Sequence, residues 1–165
     1  MPDPDQGGIA IRPYEAHDAP ATLEVFTQSV LRTAARDYSP AQLDAWAQPG
    51  QRDPAEWNAK MLARNTFVAV EGSSGMVVGF SDVDGHGYID MMFVDPGATR
   101  RGIGTLLLIH AEELARAAGA TELLADVSIT ARPFFEAHGF AVENVNHPVV
   151  GGVEFTNYRM SRPLT

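Results

Sequence analysis

From Ile103 onward the apolar residues fall at Ile103, Leu106, Leu107, Ala111, Leu114, Ala115 and Ala118, the three-and-four spacing of one helix face, and Gly119 is placed to stop it. A second helical pattern over 19–35 carries Leu23, Phe26, Val30 and Ala34 on one side, with Asp18 as the candidate N-cap. Ser39 followed by Pro40 predicts a short helix reaching Trp46, and 54–63 reads as a third. Runs of strand formers over 9–12, 66–70, 76–83, 88–94 and 123–127 are separated by turn residues, among them Gly72-Ser73-Ser74-Gly75 and Asp95-Pro96. Residues 131–138 predict a short helix capped near Thr130 and ended by Gly139, and two strands flank Gly151-Gly152. An antiparallel meander followed by one strand-helix-strand crossover is an α+β pattern, and a doubly wound nucleotide-binding sheet would need several such units.

Between the strand over 88–94 and the long helix lies Thr99-Arg100-Arg101-Gly102-Ile103-Gly104, with Thr105 in the helix's first turn. Glycines without a Cβ let successive N–H groups converge, and the orphan amides and positive dipole end of the helix then attract an anion such as a pyrophosphate. The plainer reading is a tight turn that needs glycine for its geometry alone. Composition narrows the function classes. The 165 residues suit one domain over 9–165, with a disordered leader over 1–8 that has no basic region or apolar core for export. Absence of cysteine excludes a disulfide framework, a thiolate metal site and an acyl-cysteine intermediate, and no metal is expected. A net charge of -9, from 12 Lys+Arg against 21 Asp+Glu, disfavours nucleic acid and favours cationic substrates. No apolar run reaches membrane-spanning length, so the expectation is a cytoplasmic protein, monomer or homodimer, that needs no membrane.

The turn and its surroundings resemble the GNAT superfamily of acetyl-CoA-dependent N-acetyltransferases. The resemblance rests on Val94-Asp95-Pro96, on Arg101-Gly102-Ile103-Gly104, and on Ala131-Arg132-Pro133-Phe134-Phe135-Glu136-Ala137-His138-Gly139-Phe140, and extends loosely to Ile11-Arg12-Pro13-Tyr14. It implies acetyl-CoA as cofactor, an amine acceptor, and a mainly antiparallel sheet flanked by helices. It further implies that Met92, Phe93 and Val94 pair with the pantetheine arm, that the turn from Thr99 to Thr105 holds the pyrophosphate, and that Ser128, Phe134 and Phe135 contact the cofactor. Thr99 departs from the family's usual Gln or Arg, and Phe135 stands where many members have a tyrosine acid. Asp90, two residues from the family's usual base position and on the same strand face as Tyr88 and Met92, is the first candidate base. It reads equally well as a carboxylate that binds a cation. Tyr158 is a candidate acid, and His86 a second base in a solvated turn. The competing function is a non-catalytic acyl-CoA-binding regulatory module, suggested by Phe135 and by the lack of an obvious glutamate base.

Overall fold

The computed structural model describes residues 8–165, so the expected leader lies, apart from Gly8, outside the described residues. Strands β1 (Ile9–Pro13), β2 (Phe67–Glu71), β3 (Val77–Ser81) and β5 (Met92–Val94) form one antiparallel sheet in that spatial order. The second sheet runs β4 (Tyr88–Ile89), β6 (Glu122–Ser128), β10 (Asn157–Pro163) and β7 (Ala141–Asn146), with β4 parallel to β6 and the other pairs antiparallel. A small hairpin, β8 (Val149–Val150) and β9 (Val153–Glu154), turns at Gly151-Gly152. The architecture is the expected α+β one.

Helices cover both faces of the first sheet. On one face α4 (Ile103–Ala117) buries Ile103, Leu107, Leu108, Ala111 and Ala115 against Phe67, Ala69 and Val78 and reaches the inner residues of β6 and β10. Leu106 and Leu114, expected in this face, are 37% and 39% exposed because they fall at the edge of that stripe. The other face packs Val68, Val70 and Phe80 against α1 (Ala19–Gln28), α2 (Pro40–Ala47) and α3 (Pro54–Ala63). With both faces covered, β2 is apolar and buried from Phe67 to Val70 instead of alternating.

Local chemistry explains most of the helix ends. Ser39 Oγ accepts the Gln42 N–H at 3.1 Å while Gln42 Oε1 accepts the Ser39 N–H at 2.8 Å, a reciprocal capping box at the start of α2. Asp18 does not cap α1. Its carboxylate is buried in a two-pronged ion pair with Arg12, both bonds 2.8 Å, and accepts the Glu15 N–H. The helix expected over 19–35 is irregular at its end: α1 passes into a π-helical turn, Ser29–Thr33, and a 3₁₀ turn, Ala34–Arg36. Before α5 (Arg132–Ala137), Thr130 donates to Asp37 and caps nothing; Ser128 Oγ instead accepts the Ala131 N–H.

The strand expected over 88–94 is two strands in different sheets, β4 joining β6 and β5 joining β3. The buried carboxylate of Asp82 produces the break. Its Oδ1 accepts the N–H of Asp90 at 2.8 Å and lies 3.4 Å from that of Met91, while the Met91 carbonyl accepts from Ser81 Oγ and the Asp82 N–H. Side-chain bonds thus satisfy the backbone where the ladder is interrupted. The sheets part here, and among the described residues no strand pairs with the outer edge of β5.

Candidate active site

Two cavities meet at this parting. The first, about 210 Å³, runs from the open edge of β5, lined by Met92, Phe93 and Val94, past Thr99 and Gly104 to Phe134 of α5. The π-helical turn contributes Ser29, Val30 and Thr33 to its far wall, which matches the use of such turns to re-aim side chains at functional sites. The second, about 340 Å³, lies among Phe26, Tyr38, Trp46, Phe155 and the second sheet. Trp46, Met92, Phe93, Ser128, Ala131 and Phe135 line both, so the two cavities share a wall. Ser128 is the one hydroxyl among those six.

The first cavity brings most of the expected cofactor residues together. Arg100 and Gly102 adopt φ of 65° and 74°, the left-handed region, so the turn bends backwards into α4, whose first N–H groups have no partner within the helix. A Cβ built on Gly102 meets nothing within 4 Å, which leaves open space above the turn. Gly104 is tight for a different reason: a Cβ there would stand 3.1 Å from the Phe134 ring, which would have to give by a few tenths of an ångström. Other expected contacts are already engaged within the protein. Arg101 pairs with Glu71 at 2.7 Å, Thr105 Oγ1 lies 3.0 Å from His138 Nε2, and Ile103 is buried beneath the first sheet. Phe135 is buried between Phe134 and Phe140 with its rings edge-on to both.

The second cavity is aromatic on one side and polar on another. Trp46 sits edge-on to Tyr38, Phe93 and Phe155. The polar wall includes Tyr88, Asp90, Asp126 and Asn157. Asp126 accepts two bonds from Arg159, one from Tyr88 Oη at 3.0 Å and one from Asn146. Burial, followed by that bond to a carboxylate, pushes the Tyr88 hydroxyl up to about 12, so it holds its proton. Asp90 lines the cavity as expected and forms an ion pair with Arg64. Because the chain breaks at Asp90, it does not share a simple alternating face with Tyr88 and Met92. Tyr158 lies on β10 beneath the Arg132 guanidinium, 4.5 Å from Cζ to ring centre, and lines neither cavity. His86 is exposed on the turn that Asp84 closes.

Arg52, Asp126 and Asn157 escape the sequence reading. Asp126 had a signal: in Leu123-Leu124-Ala125-Asp126-Val127 it is the one charge in an apolar strand. Arg52 and Asn157 reach the cavity from a loop and from the first position of β10, and no local spacing marks them. Among the described residues no His, Cys, Asp and Glu group has a metal-binding arrangement.

Comparison with known proteins follows the same lines. A family model described as an acetyltransferase (GNAT) domain matches residues 34–162. The chain is 39% identical over 155 residues to YafP, described as an uncharacterized N-acetyltransferase of Escherichia coli (strain K12), covering 92% of this chain and 94% of that protein. A GCN5-related N-acetyltransferase structure from Rhodopseudomonas palustris superposes with a TM-score of 0.88 at 35% identity, covering 94% and 95% of the two chains. The PaiA N-acetyltransferase of Thermoplasma acidophilum, solved in complex with coenzyme A, shares the fold with a TM-score of 0.77 at 20% identity over 95% and 99%.

Proposed function

The chain belongs to the GNAT family of acetyltransferases, and on that premise we propose that it moves an acetyl group from acetyl-CoA to the amine of a small molecule or peptide by direct attack. Its fold and site fit that cofactor. The free edge of β5 offers unpaired backbone groups to an amide-bearing arm, and the apolar walls of the smaller cavity suit its alkyl stretches. Open space above Gly102 and the amino end of α4 suit a pyrophosphate, with Arg100 at the same turn. When bound, acetyl-CoA supplies an activated thioester.

The observation that carries the proposal is the junction of the two cavities, which gives acceptor and cofactor one shared wall at Met92, Phe93, Ser128, Ala131 and Phe135. Attack requires the amine to lose a proton, and Asp90 is the cavity carboxylate proposed to take it. Asp126 is already committed to four donors and acts as a fixed wall. Ser128 Oγ accepts the Ala131 N–H, which leaves its own hydrogen for the leaving sulfur at the junction. Tyr158, outside both cavities, is set aside as the acid; the sulfur departs as a thiolate that the Ser128 hydroxyl stabilises by a hydrogen bond, while the amine's proton goes to Asp90. Phe135 favours a second reading, a non-catalytic acyl-CoA-binding module, because it removes the hydroxyl many members use.

Asp90→Asn keeps shape and removes basicity, so turnover should fall by about a hundredfold with acetyl-CoA affinity unchanged. If Asp90 instead binds a cationic amine, the same variant raises the acceptor KM and spares amines that are neutral at the assay pH. Unchanged kcat and KM would overturn the role.

A further inference from the structure

Three charged side chains line the larger cavity: Arg52, Asp90 and Asp126. Asp90 is paired with Arg64 and Asp126 with Arg159. Arg52 has no carboxylate within ion-pair distance among the described residues, in a chain whose acidic residues outnumber its basic ones 21 to 12. Its Nε donates to the Ala47 carbonyl at 3.1 Å and its Nη2 to the Trp46 carbonyl at 2.8 Å, the last carbonyls of α2, where the helix dipole favours a cation. Its flat face lies 4.7 Å from the Phe26 ring centre and 5.9 Å from that of Trp57. The side edge of the guanidinium is thereby occupied and its plane fixed. The end-on fork, Nη1 together with the second Nη2 hydrogen, has no acceptor among the described residues. Burial holds its pKa below the usual arginine value without any carboxylate to offset that loss.

A helix-end staple would account for the two carbonyl bonds. It does not account for a fixed, unpaired fork at a cavity where every other charge is neutralised. Such a fork matches a carboxylate in two parallel bonds. We propose that Arg52 is an anion subsite for the acceptor, which is a small amine that also carries a carboxylate, an amino acid or a close analogue, with its apolar body against Trp46, Phe93 and Phe155. The ammonium end suits Asp90, the cavity carboxylate proposed to take its proton. The negative net charge alone favours plain cations, and Arg52 reverses that preference locally.

This proposal rests on the acetyl-transfer reading, and two measurements separate them. Thiol release from acetyl-CoA is followed with L-phenylalanine, L-phenylalaninamide and phenethylamine. Thermal shifts with 3-phenylpropionate are followed on CoA-saturated protein. The expected kcat/KM for the amino acid exceeds that for the other two by at least tenfold. Arg52→Met, which keeps the stem, should erase that preference through KM, while Arg52→Lys, which keeps charge without the fork, should retain part of it. The carboxylate probe should raise Tm in the wild type and not in the Met variant. Equal use of the three amines, or equal loss for all three in Arg52→Met, overturns the subsite. Arg52-dependent binding of 3-phenylpropionate with no acetylated amine supports the subsite and counts against transfer, whereas no such binding overturns the subsite whatever the turnover.

Discussion

Asp82 has moved furthest from what its residue type suggests. It is 2% exposed, its Oδ1 serves the broken backbone at Asp90 and Met91, and its Oδ2 has no donor. Burial pushes its pKa up to about 6, with the Met91 N–H pulling the other way. A carboxyl whose folded pKa is raised favours the folded state in its protonated form. Its stabilising contribution is therefore full below the unfolded value near 3.8 and is lost as pH climbs through about 6. Asp82→Asn cannot titrate, so wild type should lose up to about 3 kcal/mol relative to it between pH 4 and pH 7, as read by urea unfolding at stepped pH. Parallel stability curves for the two proteins would mean that Asp82 is paired in solution. None of this is visible in Ser81-Asp82-Val83, because an aspartate's burial depends on the strand eight residues on that folds over it.

Elements were legible where their signals are local. The Ser39 cap with Pro40 behind it, the start of α3 at Pro54 and the stop at Gly119 all follow from neighbouring residues, and the structure keeps each. Those shaped by distant contacts were not: the division of 88–94 between two sheets is imposed by Asp82, the π-helical turn is hidden beneath a regular apolar spacing, and β7 is mostly exposed with no apolar face to announce it. The glycine turn and its helix were legible, but the purpose of Gly104 was not, since Phe134 is thirty positions away. Gly87 is the sharpest element-scale test. It has φ +89°, and a Cβ there would lie 1.9 Å from the Glu122 carbonyl oxygen, where β4 meets β6. Gly87→Ala should cost roughly 4 kcal/mol or more by forcing the parallel pair apart, measured by chemical unfolding, whereas Gly102→Ala, with open space around it, should cost about 1 kcal/mol from its positive φ alone. Equal costs would contradict the register of the second sheet.

At the scale of the whole molecule, function depends on two sheets that separate at one point. A strand edge and a helix terminus face the smaller cavity, aromatic and charged side chains face the larger, and Ser128 and Phe135 line both. The net charge of -9 opposes a polyanionic cofactor at long range, so the proposed binding rests on local groups, Arg100 and the amides of the turn. Sequence pointed to the smaller cavity because its strand, turn and helix start are contiguous from Met92 to Thr105, while the wall from Ser29, Val30 and Thr33 was not marked as part of it. The larger cavity, proposed for the acceptor, is gathered from α1, α2, the loop carrying Arg52, β6 and β10, and only the folded chain assembles it. The most direct test of the account is the release of CoA thiol from acetyl-CoA over a panel of amines, read together with acetyl-CoA binding. Amine-dependent release, with acetylated product matching thiol one to one, is the predicted result. Tight acetyl-CoA binding with thiol release that no amine accelerates would contradict it and leave the protein an acyl-CoA-binding module.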